Sequence, residues 1–153
     1  MTVALPTADD TRALGARLGA VLHAGDLVIL TGRLGAGKTT LVQGIGDGLD
    51  VEGHIASPTF VIARVHPSRV PGRPTLVHVD AYRLGSLAEV EDLDLEVEAE
   101  DAATVVEWGH GLVEQLADSR LEIVLERSAD TDERSATLTA YGDDWVRRIA
   151  DLA

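Results

Sequence analysis

Leu27-Val-Ile-Leu-Thr-Gly-Arg-Leu-Gly-Ala-Gly-Lys-Thr39 is the stretch that decides how this chain folds. Its first four residues form an unbroken apolar run, the pattern of a strand buried on both faces. Glycines 32, 35 and 37 follow, and Leu41, Val42, Ile45 and Leu49 then recur at helical spacing. Strand, glycine loop and helix together are the setting of a phosphate-binding loop. The glycines let the backbone turn tightly and point successive N–H groups inward, and the helix adds its positive N-terminal end. Lys38 is placed to reach β- and γ-phosphates, and Thr39 to offer its hydroxyl to Mg²⁺.

From this composition, a chance match to Gly-x₄-Gly-Lys-[Ser/Thr] has a probability of about one in a thousand. Lys38 is also the only lysine, the other twelve of the 13 basic residues being arginine. A compact ammonium is kept where a phosphate nest accommodates it better than a planar guanidinium. The chain has no asparagine, the residue with which P-loop GTPases usually read guanine, which favours ATP as the nucleotide.

Working outward, 153 residues with 45% apolar content suit one domain, here 1–153, with a single core. Aromatics make up only 3%, so that core must be built from Val, Leu, Ile and Ala. Without cysteine there is neither a disulfide framework nor a thiolate metal site. No apolar run approaches the roughly 18 residues of a membrane span, and the N-terminus lacks a signal-peptide pattern, so a cytoplasmic protein is expected. The formal net charge of −13 argues against tight, independent nucleic-acid binding, which depends on Lys and Arg displacing counterions. The acidity peaks at Glu89, Glu91, Asp92, Asp94, Glu96, Glu98, Glu100 and Asp101, in a stretch from Leu84 to Ser119 without Lys or Arg. Such a run reads as a solvated face or as a docking surface for a basic partner.

Thr7-Ala-Asp-Asp10 resembles a capping box ahead of a helix whose face carries Leu14, Leu18, Val21 and Leu22. Strands are predicted at Phe60–Val65, Leu76–Val79 and Thr104–Val106, with the proline-rich surface loop 66–74 between the first two. Helices are expected from about Ser86 into the acidic stretch and from Gly111 to Ala117. Leu121, Ile123 and Leu125, then Ala136, Leu138 and Ala140, alternate as antiparallel strands do, and Trp145, Ile149 and Leu152 suggest a closing helix. The sum is a three-layer α/β P-loop domain with a mixed, mainly parallel sheet and antiparallel C-terminal strands.

Groups that complete a nucleotide site belong at the carboxyl edge of the sheet. Asp80 and Glu107 each close a predicted strand, and either can hold Mg²⁺ or orient the attacking water, or merely cap the next turn. Ser57-Pro-Thr59 lies where switch loops sit, and equally reads as an ordinary turn. His78 reads as a packed or solvent-edge histidine facing the sheet, and His23, His54 and His66 show no metal-ligand spacing. Trp108 reads as core or as a cover for the nucleotide.

Leu-Gly-Ala-Gly-Lys-Thr-Thr at 34–40, Ser-Pro-Thr-Phe at 57–60, His-Val-Asp-Ala-Tyr-Arg at 78–83 and Val-Glu-Trp at 106–108, in this order, resemble the TsaE (YjeE) family of small bacterial ATPases. The resemblance implies a role in making N6-threonylcarbamoyladenosine on tRNA beside the anticodon. ATP would be hydrolysed in complex with TsaB–TsaD, after TsaC makes threonylcarbamoyl-AMP, with tRNA held by the partners. It also implies that Gly35, Ala36, Gly37, Lys38, Thr39 and Thr40 bind ATP, with Thr11 towards the base and His110 as a further contact. Thr39 and Glu107 would ligate Mg²⁺, Asp80 would assist hydrolysis beside Lys38, and Trp108 with the Ser57–Thr59 loop would serve turnover. There are two departures from the family pattern: Arg33, where an acidic residue is usual, and Gly109-His110 after Glu-Trp, where Pro or a polar residue is common. A metabolite kinase, with Arg69 and Arg73 as its lid, and a nucleotide switch without significant turnover are the competing classes.

Overall fold

The computed structural model describes residues 1–56, 63–81, 100–108, 114 and 117–152. Within these, Leu27–Gly32 is the central strand β2. It is flanked on one side by β5 (Ala102–Glu107) and on the other by β6 (Arg120–Arg127), both parallel to it. A strand paired and covered on both faces has to be apolar throughout, as Leu27–Leu30 is. The remaining strands are β1 (Thr2–Leu5), β3 (Ala63–His66), β4 (Thr75–Asp80) and β7 (Arg134–Tyr141), and the sheet order is β1-β7-β6-β2-β5-β4-β3. Pairing is parallel from β4 through β5 and β2 to β6, and antiparallel at β3–β4, β6–β7 and β7–β1. Only β3 and β7 therefore run against the rest.

The three helices described are α1 (Ala8–Val21), α2 (Lys38–Leu49) and α3 (Asp143–Ala150). One face of the sheet packs Val28, Leu30, Val105, Leu121, Ile123 and Leu138 against Leu14 and Leu18 of α1, Leu41 and Ile45 of α2, and Trp145 of α3. The other face gathers Leu27, Ile29, Val77, Val79 and Val106. The period-two alternation in β6 and β7 sorts side chains between the two faces, as expected.

Helix α1 lies unusually close to α2. A Cβ added at Gly44 would sit 2.1 Å from the carbonyl oxygen of Arg12, and one at Gly15 would sit 2.2 Å from that of Leu41. Glycine is required here because the two backbones touch. This contact holds the start of α1 against the glycine loop.

β1 carries no periodic signal and was not expected. It forms because β7 has a free edge, against which Thr2–Leu5 pairs with Arg134–Thr137. α3 is pinned to the sheet by Arg148, which donates to both oxygens of Asp26 at 2.5 and 2.9 Å and to the carbonyl of Val21 at 2.9 Å. The expected strand at 60–65 contributes Ala63–Val65 to β3, while 60–62 lie outside the described residues. So do the predicted helix from Ser86 and almost all of that from Gly111, with most of the acidic stretch. No helix among the described residues is long and apolar enough to cross a membrane.

Candidate nucleotide site

β2 ends at Gly32, and the chain turns through a hydrogen bond from the Ala36 N–H to the Arg33 carbonyl at 3.0 Å. Gly35 and Gly37 stand at φ of +81° and +103°, a region that side-chain-bearing residues rarely enter. Gly37 is the N-cap of α2, makes no side-chain cap, and is followed by a first turn without an acidic residue. The first N–H groups of α2 are thus left for an outside acceptor, with the positive end of the helix behind them.

Lys38 is 8% exposed. Its ammonium donates to the carbonyl of Gly32 and, at 3.2 Å, to that of Arg33. The Trp108 ring centroid lies 4.4 Å away, within cation–π range. Burial pushes the Lys38 ammonium below the usual lysine range, and the carboxylates of Glu107 and Asp80 oppose that shift. Trp108 itself sits at φ +62°, a strained setting for a bulky residue, and its N–H donates to the Leu30 carbonyl at 2.9 Å.

The acidic residues come together through register. Asp80 is paired with Glu107 across β4–β5, and Glu107 with Leu30 across β5–β2, so all three reach the same edge as the loop. Glu107 shares the parity of Ala103 and Val105, and Asp80 that of Leu76, which places both on the α2 face. Glu107 is 4% exposed, and its Oε2 lies 2.5 Å from Nε2 of His78. His78 is accordingly an interior residue on this face, bonded to a candidate site acid; the sequence reading allowed it to be packed or at the solvent edge.

Thr11 is fully buried at the rim of the loop, its methyl 3.6 Å from the place a Cβ on Gly37 would take. Its hydroxyl donates to the Thr7 carbonyl at 3.4 Å. Ala36 is buried, and Thr39 and Thr40 are half-buried in the first turn of α2. Ser57, Thr59 and His110 lie outside the described residues. The structure adds Arg134, which sequence reasoning missed. From the start of β7 its Nη2 donates to the Gly35 carbonyl at 3.1 Å, and its Cδ would meet a Cβ on Gly37 at 3.3 Å. A cavity of about 680 Å³ opens beside the loop, lined among others by Arg33, Leu34, Trp108, Arg127 and Asp132. That volume lies in the range of small-ligand sites.

The proline-rich loop stands elsewhere. Arg73 donates to the Gly48 carbonyl, and the Arg69 N–H to that of Asp50 at 2.8 Å, at the C-terminal end of α2. The length of α2 puts these arginines about 18 Å from the phosphate loop, too far to act as a lid in this arrangement. Among the described residues, no three His, Cys, Asp or Glu side chains form a metal cluster.

A family model described as threonylcarbamoyl adenosine biosynthesis protein TsaE matches residues 5–136. The chain is 59% identical over 139 residues to a tRNA threonylcarbamoyladenosine biosynthesis protein TsaE of Streptomyces coelicolor, covering 88% of this chain and 93% of that one. It is 40% identical over 146 residues to the protein of that name from Bacillus subtilis, covering 95% and 89% respectively. Its fold superposes on a crystal structure of YdiB from Bacillus subtilis with a TM-score of 0.80 and 32% identity, across 99% of this chain and 93% of that chain.

Proposed function

This chain belongs to the TsaE family of tRNA threonylcarbamoyladenosine biosynthesis proteins, and from that premise we propose that it is the ATP-binding and ATP-hydrolysing component of that machinery. The observation that carries the reading is the uncapped, glycine-built start of α2, with Lys38, Asp80 and Glu107 converging on it. Backbone N–H groups of residues 35–40 cradle the phosphates, and Lys38 leaves the Gly32 and Arg33 carbonyls to meet the β- and γ-oxygens. Trp108 covers the ammonium and keeps water from it.

The donor set fits Mg²⁺, a hard cation that takes oxygen ligands and keeps several waters. Thr39 and Glu107 would hold it, and when bound it neutralises charge on the phosphates. Asp80, at the neighbouring strand end, is placed to orient the attacking water and take its proton. Thr11 supports the loop from the base side, and His110 is a further contact. Ser57 and Thr59 would act as the γ-phosphate-sensing loop. Arg134 already grips the Gly35 carbonyl and supplies a second positive charge at the loop.

Turnover by the chain alone is expected to be slow, with TsaB–TsaD completing the site and TsaC supplying the intermediate. The net charge of −13 fits a component that leaves tRNA to its partners, in the cytoplasm. The test is a reconstitution with TsaB, TsaC, TsaD and tRNA. Adding this chain should restore multiple-turnover modification, and adding Lys38→Ala should not. Full modification without the chain, or transfer of the γ-phosphate to a metabolite, would refute the reading.

A further inference from the structure

His78 lies in the interior of β4, fully buried, two residues before Asp80 on the same face. Its Nε2 stands 2.5 Å from Oε2 of Glu107, while its Nδ1 is buried without a hydrogen-bond partner among the described residues. An ionised carboxylate only accepts, so the bond runs from Nε2–H to Glu107. Glu107 needs such a donor, because a buried carboxylate without one carries a large desolvation penalty.

The attraction between Lys38 and Glu107 makes the bond more than a packing detail. Lys38 feels the Glu107 charge, yet its ammonium donates to Gly32 and Arg33 while Glu107 is held by His78. Without the bond to His78 the carboxylate would be drawn towards the ammonium, which already feels its charge.

We propose that His78 is a positioning residue, which fixes one oxygen of Glu107 and so presents the other to the metal-bound nucleotide. The inference rests on Glu107 being a metal ligand, and the carboxylate ligands of metal sites commonly need such a hydrogen-bonded support. A histidine that merely filled the core would contribute to stability and leave the metal dependence of binding alone.

The experiment compares ATP affinity by calorimetry, in Mg²⁺ and in EDTA, for the parent, Glu107→Gln, His78→Leu, His78→Asn and His78→Gln, with thermal unfolding recorded alongside. Glu107→Gln should lose the gain in affinity that Mg²⁺ brings. His78→Leu should lose about tenfold or more of that gain and keep the affinity measured in EDTA. His78→Asn, polar but too short to reach Glu107, should do the same and decides the case if the leucine variant does not fold. His78→Gln, whose amide can reach, should recover much of the gain. If the His78 variants keep the full gain while Glu107→Gln loses it, the positioning role is overturned and Glu107 remains a ligand. If Glu107→Gln keeps it too, the ligand assignment falls and the inference falls with it.

Discussion

Helices α1 and α2 start beside each other, yet their N-termini are finished in opposite ways. At α1 the Thr7 hydroxyl accepts from the Asp10 N–H at 3.2 Å, and the Asp10 carboxylate accepts from the Thr7 N–H at 2.9 Å. Asp9 and Asp10 add negative charge to that first turn. At α2 the cap is Gly37, no side chain closes it, no acid follows, and a lysine stands at the first helical position. Both helices face the same problem of unsatisfied N–H groups and a positive end. One solves it internally, at a gain in stability. The other leaves it open, and Lys38, Asp80 and Glu107 gather there.

The largest effect should come from the open end. Lys38→Ala should lower MgATP affinity by about 100-fold or more, since hydrogen bonds to charged groups are each worth about 1.5–3 kcal/mol. Lys38→Arg should recover little of it, because a planar guanidinium replaces a compact ammonium poorly in a phosphate nest. Calorimetry checks both. Asp80→Asn should separate binding from chemistry at the same end. MgATP should still bind within about threefold, while turnover with TsaB–TsaD falls by about 100-fold, the usual contribution of a group that handles a proton in the transition state.

The coupling between the two ends can be broken at Gly44. A methyl group there meets the Arg12 carbonyl, a backbone atom that cannot rotate away, so Gly44→Ala should destabilise the fold by about 1–3 kcal/mol in urea unfolding. The smallest effect belongs to the closed end. Thr7→Ala should cost about 1 kcal/mol of stability and leave MgATP affinity unchanged. A loss of affinity there would mean that the cap itself, and not only Thr11, takes part in holding the ligand.

Legibility in the sequence followed the distance between partners. The capping box and the glycine loop were readable because their partners lie within a few residues. Asp80 and Glu107 were readable as strand ends, since parallel neighbours in register finish at one edge. The His78–Glu107 bond joins residues 29 apart, and Arg134 meets Gly35 from 99 positions away. Neither is visible without the strand pairing. For His78 a signal did exist, because its i, i+2 relation to Asp80 puts both on one face of β4. β1 stayed hidden because its stability comes from pairing with the edge of β7, at the far end of the sequence.

The account stands most directly on whether the open start of α2 is where MgATP binds. Gly37→Asp would spoil that end for an anion, setting a side chain and a negative charge where the backbone stands at φ +103° and a Cβ already meets Arg134 at 3.3 Å. Titration of MgATP into the parent chain should give one site per molecule. The folded Gly37→Asp variant, verified by circular dichroism, should show no measurable binding. Undiminished one-to-one binding of MgATP by that folded variant would contradict the account.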